Sequence, residues 1–232
     1  MILKAFGVSV IGPVHLLSHA SNQDAFSVHG RKGGWTVAVC DGVGSCVHSD
    51  IGANAASKAV QAVLRENNML HSGDVTNAHI HARWLQHIKP YAVHEVATTC
   101  LYSQVLPSGE TIVGQLGDGL ILYRENGVFH QLTLNRKGYG NQTAALWKQH
   151  TPEQWLNTRF TLQKPGDGVI LMTDGISDDL IADALPAFFE VIYKTALHCS
   201  RRRAKRWLQK ELSDWATPKH GDDKTLAAIF RG

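Results

Sequence analysis

Several places in the chain put a short carboxylate where an apolar run meets a turn. Asp41-Gly42 follows Thr36-Val-Ala-Val-Cys, Asp118-Gly119 follows Ile112-Val-Gly-Gln-Leu-Gly, and Asp174-Gly175 follows Val169-Ile-Leu-Met-Thr. Asp222-Asp223 stands in mirror order, just before the run from Thr225 to Phe230, and Asn22-Gln23-Asp24 opens an earlier run. Glycine beside a carboxylate frees the backbone to turn sharply and lets a carbonyl approach a ligand closely. If these strand ends meet in the fold, the like charges repel and raise one another's pKa, a conflict that a cation removes. Ligands that are all oxygen, with no His or Cys in the repeating format, suit Mg2+ or Mn2+ better than zinc. Paired cations of this kind, about 4 Å apart, are a standard means of attacking phosphate esters. Any single Asp-Gly reads more simply as a turn or a cap. The weight lies in three strand-ending copies plus an Asp-Asp pair within one chain.

The elements that must position these residues are legible from periodicity. Short β-branched runs at 3–11, 25–29 and 35–40 predict strands, with a glycine-rich turn at 30–34. Ala55, Ala59, Val60, Val63 and Leu64 fall at helical spacing and predict a helix over 49–68, and a second is expected over 75–88, stopping before Pro90. Strands return at 98–106, 111–116, 120–124 and 128–132, joined by turns at Pro107-Ser108-Gly109 and Glu125-Asn126-Gly127. The polar stretch 135–160 has no obvious structure and reads as a functional flap. A strand at 169–173, helices at 183–197 and 201–215, and a last strand at 225–230 complete the order. Clustered strands separated by helix pairs predict an α+β fold with two stacked sheets flanked by helices, in one domain over 1–232.

Composition narrows the function classes. At 44% hydrophobic and 19% charged, the chain is ordinary globular material, neither disordered nor coiled coil. A net charge of +3 is too slight an excess to imply nucleic acid. The four cysteines (Cys40, Cys46, Cys100 and Cys199) form no CxxC pair, so reduced thiols in a cytoplasm are expected. No apolar stretch is long enough to span a bilayer. Residues 1–20 loosely imitate a secretory leader, but Gly7, Gly12, Pro13 and His15 interrupt the apolar run, and a first strand is the simpler reading. His79, His81, His87 and His94 lack partners at zinc-ligand spacing and read as a solvated helix face. Arg201-Arg-Arg-Ala-Lys-Arg opens an amphipathic helix with one basic face over 201–212; a solvated face is the simplest reading, docking to an acidic protein partner comes next, and nucleic acid trails.

The ordered series Asn22-Gln23-Asp24, Asp41-Gly42-Val43-Gly44-Ser45, Ala97-Thr98-Thr99, Gly117-Asp118-Gly119, Thr173-Asp174-Gly175-Ile176-Ser177-Asp178 and Asp222-Asp223-Lys224-Thr225 resembles the type 2C metal-dependent protein phosphatases, in their short bacterial form. The match runs over nearly the whole chain. It implies a four-layer α-β-β-α sandwich and hydrolysis of phosphoserine and phosphothreonine by metal-bound hydroxide, in signalling opposite a Ser/Thr kinase. By the same resemblance, Asp41 bridges two Mn2+ or Mg2+ ions, the Gly42 carbonyl serves the second, and Asp174 and Asp222 complete the first. Asp118 and Asp178 resemble the pair that holds a weaker third ion, and Asp24 an outer residue that orders metal-bound water.

Departures from the pattern bear on rate more than fold. Gln23 stands where the family often has Glu. His19 stands where bacterial members often place a phosphate-gripping Arg, and Val43 replaces a histidine of animal relatives. They leave open a catalytically weakened phosphoprotein-binding module of the same fold, or a hydrolase of small phosphate esters.

Overall fold

The fold is that of a computed structural model describing residues 2–66, 71–133, 144–215 and 221–232. Among these residues, ten strands form two antiparallel five-stranded sheets. In one sheet β1 (Leu3–Val10), β10 (Lys224–Arg231), β9 (Gly168–Met172), β6 (Leu120–Glu125) and β7 (Val128–Gln131) lie side by side in that order. In the other the order is β2 (Asp24–Arg31), β3 (Gly34–Asp41), β4 (Cys100–Val105), β5 (Glu110–Leu116) and β8 (Leu156–Thr161).

Side-chain alternation along each strand sorts residues into layers. Val37 and Val39 of β3 join Leu101, Val105 and Val113 in packing against Leu171, Ala227 and Ile229 of the facing sheet. Their neighbours Ala38 and Cys40 point the other way, into a cluster with α2 (Ser49–Glu66) and α3 (Gly73–His87). The first sheet's outer face, including Phe6, Leu122, Ile170 and Phe230, is covered by α5 (Leu185–His198) and α6 (Arg201–Ser213). Three apolar interfaces between four layers give the expected α-β-β-α sandwich. Strands buried on both faces carry near-continuous apolar sequence, which is why they were legible from composition.

Helix ends follow local chemistry. The Ser72 and Ser200 hydroxyls cap α3 and α6 by accepting from the backbone N–H groups of Val75 and Arg203. Helix α5 starts at Leu185 with Pro186 in its first turn, two residues later than periodicity suggests, because residues Ala182–Ala184 form a separate 3-10 turn. Two short helices went unread: α1 (Pro13–Ser18) and α4 (Asp174–Ser177).

The stretch 135–160 is only partly open to description, since residues 134–143 lie outside the described part, as does the expected end of α2 beyond Glu66. In the remainder, Leu146 is buried and its N–H donates to the Thr98 carbonyl. Residues Leu156–Thr161 are β8, an edge strand. An edge strand with polar, largely exposed side chains has no apolar alternation to betray it.

Helix α2 docks by close backbone approach. A Cβ on Gly52 would lie 1.8 Å from the Val96 carbonyl oxygen, while the Gly52 carbonyl accepts from Nε1 of the fully buried Trp84 at 3.2 Å. In an unobstructed helix, Gly→Ala stabilises. Here Gly52→Ala is expected to destabilise by about 1–3 kcal/mol through overpacking, seen as a lower urea midpoint with an unchanged m-value. A midpoint equal to or above the parent's overturns the close-approach argument.

Candidate functional site

Strand order brings the acidic strand ends to one rim. Asp24 opens β2 and Asp41 closes β3, and the two are direct partners in the register. Asp118 sits in the β5–β6 turn, Asp174 follows β9 at the start of α4, and Asp222 precedes β10. Thus the β2–β3 end of one sheet meets the β9–β10 end of the other. Asp41, Gly42, Asp118, Asp174 and Asp222 line one cavity of about 210 Å3 together with His15, Gln23 and Thr99. Asp118 also lines an adjoining cavity of about 180 Å3 with Ser177 and Asp178.

Short hydrogen bonds hold Asp41, Gly42 and Asp24 in place. The Asp41 N–H donates to the Thr99 hydroxyl at 2.9 Å, and the Asp41 carbonyl accepts from the Thr99 N–H and the Thr98 hydroxyl, both at 2.8 Å. Gly42 is fixed by its N–H donating to the Gln23 carbonyl at 3.1 Å. Asp24, buried behind the cavity, accepts the Thr173 hydroxyl at 2.9 Å, and Thr173 Oγ1 in turn accepts the Thr225 N–H at 3.1 Å. That chain ties one sheet to the other directly beneath the acidic rim. Gly175 is required by packing, since a Cβ there would lie 2.0 Å from the Asp223 carbonyl oxygen.

Burial and crowding dominate the electrostatics. Desolvation, with the charges of Asp24, Asp174 and Asp222 behind it, pushes the Asp41 carboxyl well above its ordinary range. Asp174 is raised by burial first; its hydrogen bond with Asp41 opposes this, and Asp118, Asp222 and Asp178 add to it. Asp24 is pushed up to about 8, mainly by burial, with Asp223 and Asp222 adding and hydrogen bonds to Thr225 and Thr173 partly offsetting. These couplings join every acidic residue singled out from the sequence. Oδ1 of Asp174 is buried without a hydrogen-bond partner among the described residues. An orphaned carboxylate oxygen amid charge-crowded, all-oxygen donors is what a hard divalent cation fits.

Helix α1 sets His15 beside the cavity, whereas His19, the residue expected from the sequence to grip phosphate, does not line it. His19 ends α1 in a left-handed conformation (φ 55°), is exposed, and does not line the cavity. His15, one turn earlier, does. Its Nδ1 lies 2.9 Å from Asp223 Oδ2, off the line of an ideal hydrogen bond, and its ligand atom, with those of Asp222 and Asp223, forms a group within 4.8 Å. Asp223 is buried and accepts the N–H groups of Gly12 and Gln23, each at 2.6 Å. The signal for His15 was Pro13 after Gly12, a helix-start pattern.

A family model described as Protein phosphatase 2C matches residues 11–214. Among solved structures, the photosystem II phosphatase PBCP superposes with a TM-score of 0.71 at 15% identity, covering 99% of both chains. The catalytic domain of the serine threonine protein phosphatase PstP, solved with 2 manganese ions, gives 0.65 at 18% identity over 99% of this chain and 98% of that one. A bacterial serine phosphatase gives 0.67 at 13% identity over 98% and 97%. At these identities the likeness is one of fold. No curated protein matches in sequence.

Asp24 generates a stability prediction. Its folded-state pKa of about 8, against an ordinary 3.8, means that the folded chain keeps a proton the unfolded chain has lost over that interval. Stability of the metal-free protein therefore falls as pH rises from about 4 through 8. In EDTA, urea denaturation at pH 5 and pH 8 is expected to show a smaller loss for Asp24→Asn than for the parent, by about 1 kcal/mol or more. Equal losses would show that Asp24 ionises normally.

Proposed function

The chain belongs to the protein phosphatase 2C family, and from that premise we propose that it is a metal-dependent protein serine/threonine phosphatase acting on phosphoserine and phosphothreonine. The observation that carries this reading is the meeting of Asp41, Asp118, Asp174 and Asp222 around one cavity, with Asp24 behind it and Asp178 in the adjoining one. In this reading Asp41, the Gly42 carbonyl, Asp174 and Asp222 hold a pair of Mn2+ or Mg2+ ions, Asp118 and Asp178 hold a third, and Asp24 stays in the outer shell. Bound there, the cations supply the positive charge that acidifies a water and neutralises phosphoryl oxygens.

The protein's own residues do the rest. The Thr98 and Thr99 clamp on the Asp41 backbone holds its carboxylate on the cavity wall. The buried Asp223 fixes the Gly12 and Gln23 backbones and lies beside His15, which stands at the cavity to offer an imidazole N–H to a phosphoryl oxygen. We assign that contact to His15 in preference to His19. A cysteine nucleophile is disfavoured: Cys40 beside Asp41 is fully buried, and desolvation pushes its thiol well up, away from the reactive thiolate. In this reading, as the family membership implies, water is the nucleophile. The substrate is a phosphorylated protein, a Ser/Thr kinase supplies it, and the buried or half-buried free thiols fit a reducing cytoplasm. No helix among the described residues is long and apolar enough to cross a membrane.

Phosphopeptide hydrolysis tests the centre. Chelator is expected to abolish turnover and Mn2+ or Mg2+ to restore it, while Asp41→Asn and Asp174→Asn remain folded and lose at least ~10²-fold in kcat. Full activity in chelator, or an active Asp174→Asn, sinks the two-metal reading. A folded parent with no turnover in any metal supports the weakened binding module instead.

A second measurement separates the histidines. His15→Ala is expected to raise KM for phosphopeptide by about tenfold, the loss of one hydrogen bond to a charged group, with His19→Ala near the parent. The reverse order returns the contact to His19.

A further inference from the structure

The end of the sandwich away from the acidic rim carries the opposite charge. Strands β2 and β3 run from the rim to a turn at 31–34, and at about 3.3 Å per residue this places the turn roughly 23 Å from Asp24. There a cavity of about 410 Å3 is lined by His29, Arg31, Lys32, Trp35, Arg65 and Gln104. The Arg31 guanidinium donates to the Arg65 carbonyl at the end of α2, which fixes it in the wall. Trp35, half-buried, also lines a second cavity of about 230 Å3 with Lys4 and Arg201. The Arg201 guanidinium lies over the Trp35 ring at 5.0 Å. The indole thereby joins the hairpin cations to the basic helix α6.

Along α6 the exposed cations form two rows of i, i+4 neighbours, Arg201 with Lys205 and Arg202 with Arg206. Like charges at that spacing repel. None of these four, nor Arg31, Lys32 or Arg65, has an ion pair among the described residues. Other cations are paired, Arg83 with Glu66, Arg124 with Glu190, and Lys210, further along α6, with Asp214; Lys58, Lys89 and Lys164 stand singly, without an ion pair among the described residues. Glu66, the acid next to Arg65 in sequence, is therefore already engaged.

We propose that this Trp35-centred patch, formed by the β2–β3 hairpin and the first half of α6, docks an acidic segment of a protein partner. Charge complementarity names the occupant, and two observations favour a short acidic peptide over nucleic acid. Nine of the 23 basic residues (Lys4, Arg31, Lys32, Arg65, Arg201, Arg202, Arg203, Lys205 and Arg206) lie in the patch, leaving 14 against 20 acidic ones in the rest of the chain, so a long polyanion running beyond it meets a net negative charge. The indole is also occupied: Arg201 covers its ring, and Gly30 packs so closely that a Cβ there would lie 3.1 Å from it. Little π surface remains for stacking a base. The docking is independent of the phosphatase reading, because it is measured without turnover.

The test is fluorescence anisotropy with a labelled twelve-residue Asp/Glu peptide, the full chain and EDTA, at low and high salt. Binding is expected that weakens at least tenfold in Arg201→Glu/Lys205→Glu and several-fold in the milder Arg31→Gln/Lys32→Gln, while Lys89→Glu, outside the patch, matches the parent. Circular dichroism and Tm verify that each variant is folded. A Ser/Gly peptide of equal length is expected not to bind. Absent peptide binding, or binding unchanged in both folded patch variants, overturns the proposal. So does tighter binding of a twelve-nucleotide single-stranded RNA or of phosphatidylserine vesicles than of the peptide.

Discussion

Seven carboxylates, from Asp24, Asp41, Asp118, Asp174, Asp178, Asp222 and Asp223, crowd one end of the sandwich, and the surrounding architecture has to oppose their mutual repulsion. Burial makes that repulsion stronger, because the low-dielectric surroundings screen charge poorly. The protein answers in two ways. Carboxyls at the centre hold protons beyond their ordinary range, as Asp24, Asp41 and Asp174 do. The backbone beneath them is tied at short range, by Thr98 and Thr99 under Asp41 and by the Thr173 hydroxyl between Asp24 and β10. The four-layer stack behind supplies the stiffness: apolar interfaces on both faces of both sheets leave the strand ends no room to splay.

The two ends of β2 and β3 therefore serve opposite electrostatic roles. One presents acid, gathered from elements far apart in sequence. The other presents cations, from the local hairpin, the end of α2 and the start of α6. They lie roughly 23 Å apart along the strands, so through solvent the two fields are screened from each other over more than a Debye length at physiological salt.

Much of this was legible in the sequence because the central strands are buried on both faces. Val37 through Cys40 and Val169 through Met172 read as unbroken apolar runs, and each ends in the aspartate that reaches the rim. The helix pairs showed themselves by periodicity. What escaped reading lacked either signal. Strand β8 is a polar edge with one neighbour. Helix α1 is six residues long with no buried side chain, too short to show a period, and so His19 was singled out by its place in the family pattern and His15 was passed over. His19's left-handed backbone, which turns it away from the helix, is a conformation that no residue pattern announced. Asp223 was visible as half of an Asp-Asp pair, but its partners, the Gly12 and Gln23 N–H groups, come from some 200 residues away.

The position of β10 in its sheet has a temporal consequence. It is last of the ten strands in chain order, yet it is not an edge: β1 flanks it on one side through an eight-residue register and β9 on the other. The loop before it delivers Asp222 and Asp223, and the rim is incomplete until they arrive. During synthesis, β1 has no sheet partner until some 220 residues have followed it. The second sheet, β2 to β5 with β8, is complete before then, whereas the first still lacks the strand that joins β1 to β9. Pairings of such long sequence separation are slow to form. A nascent chain released short of this strand would carry an open sheet edge and an unfinished acidic rim, so the last insertion both seals the core and assembles the site.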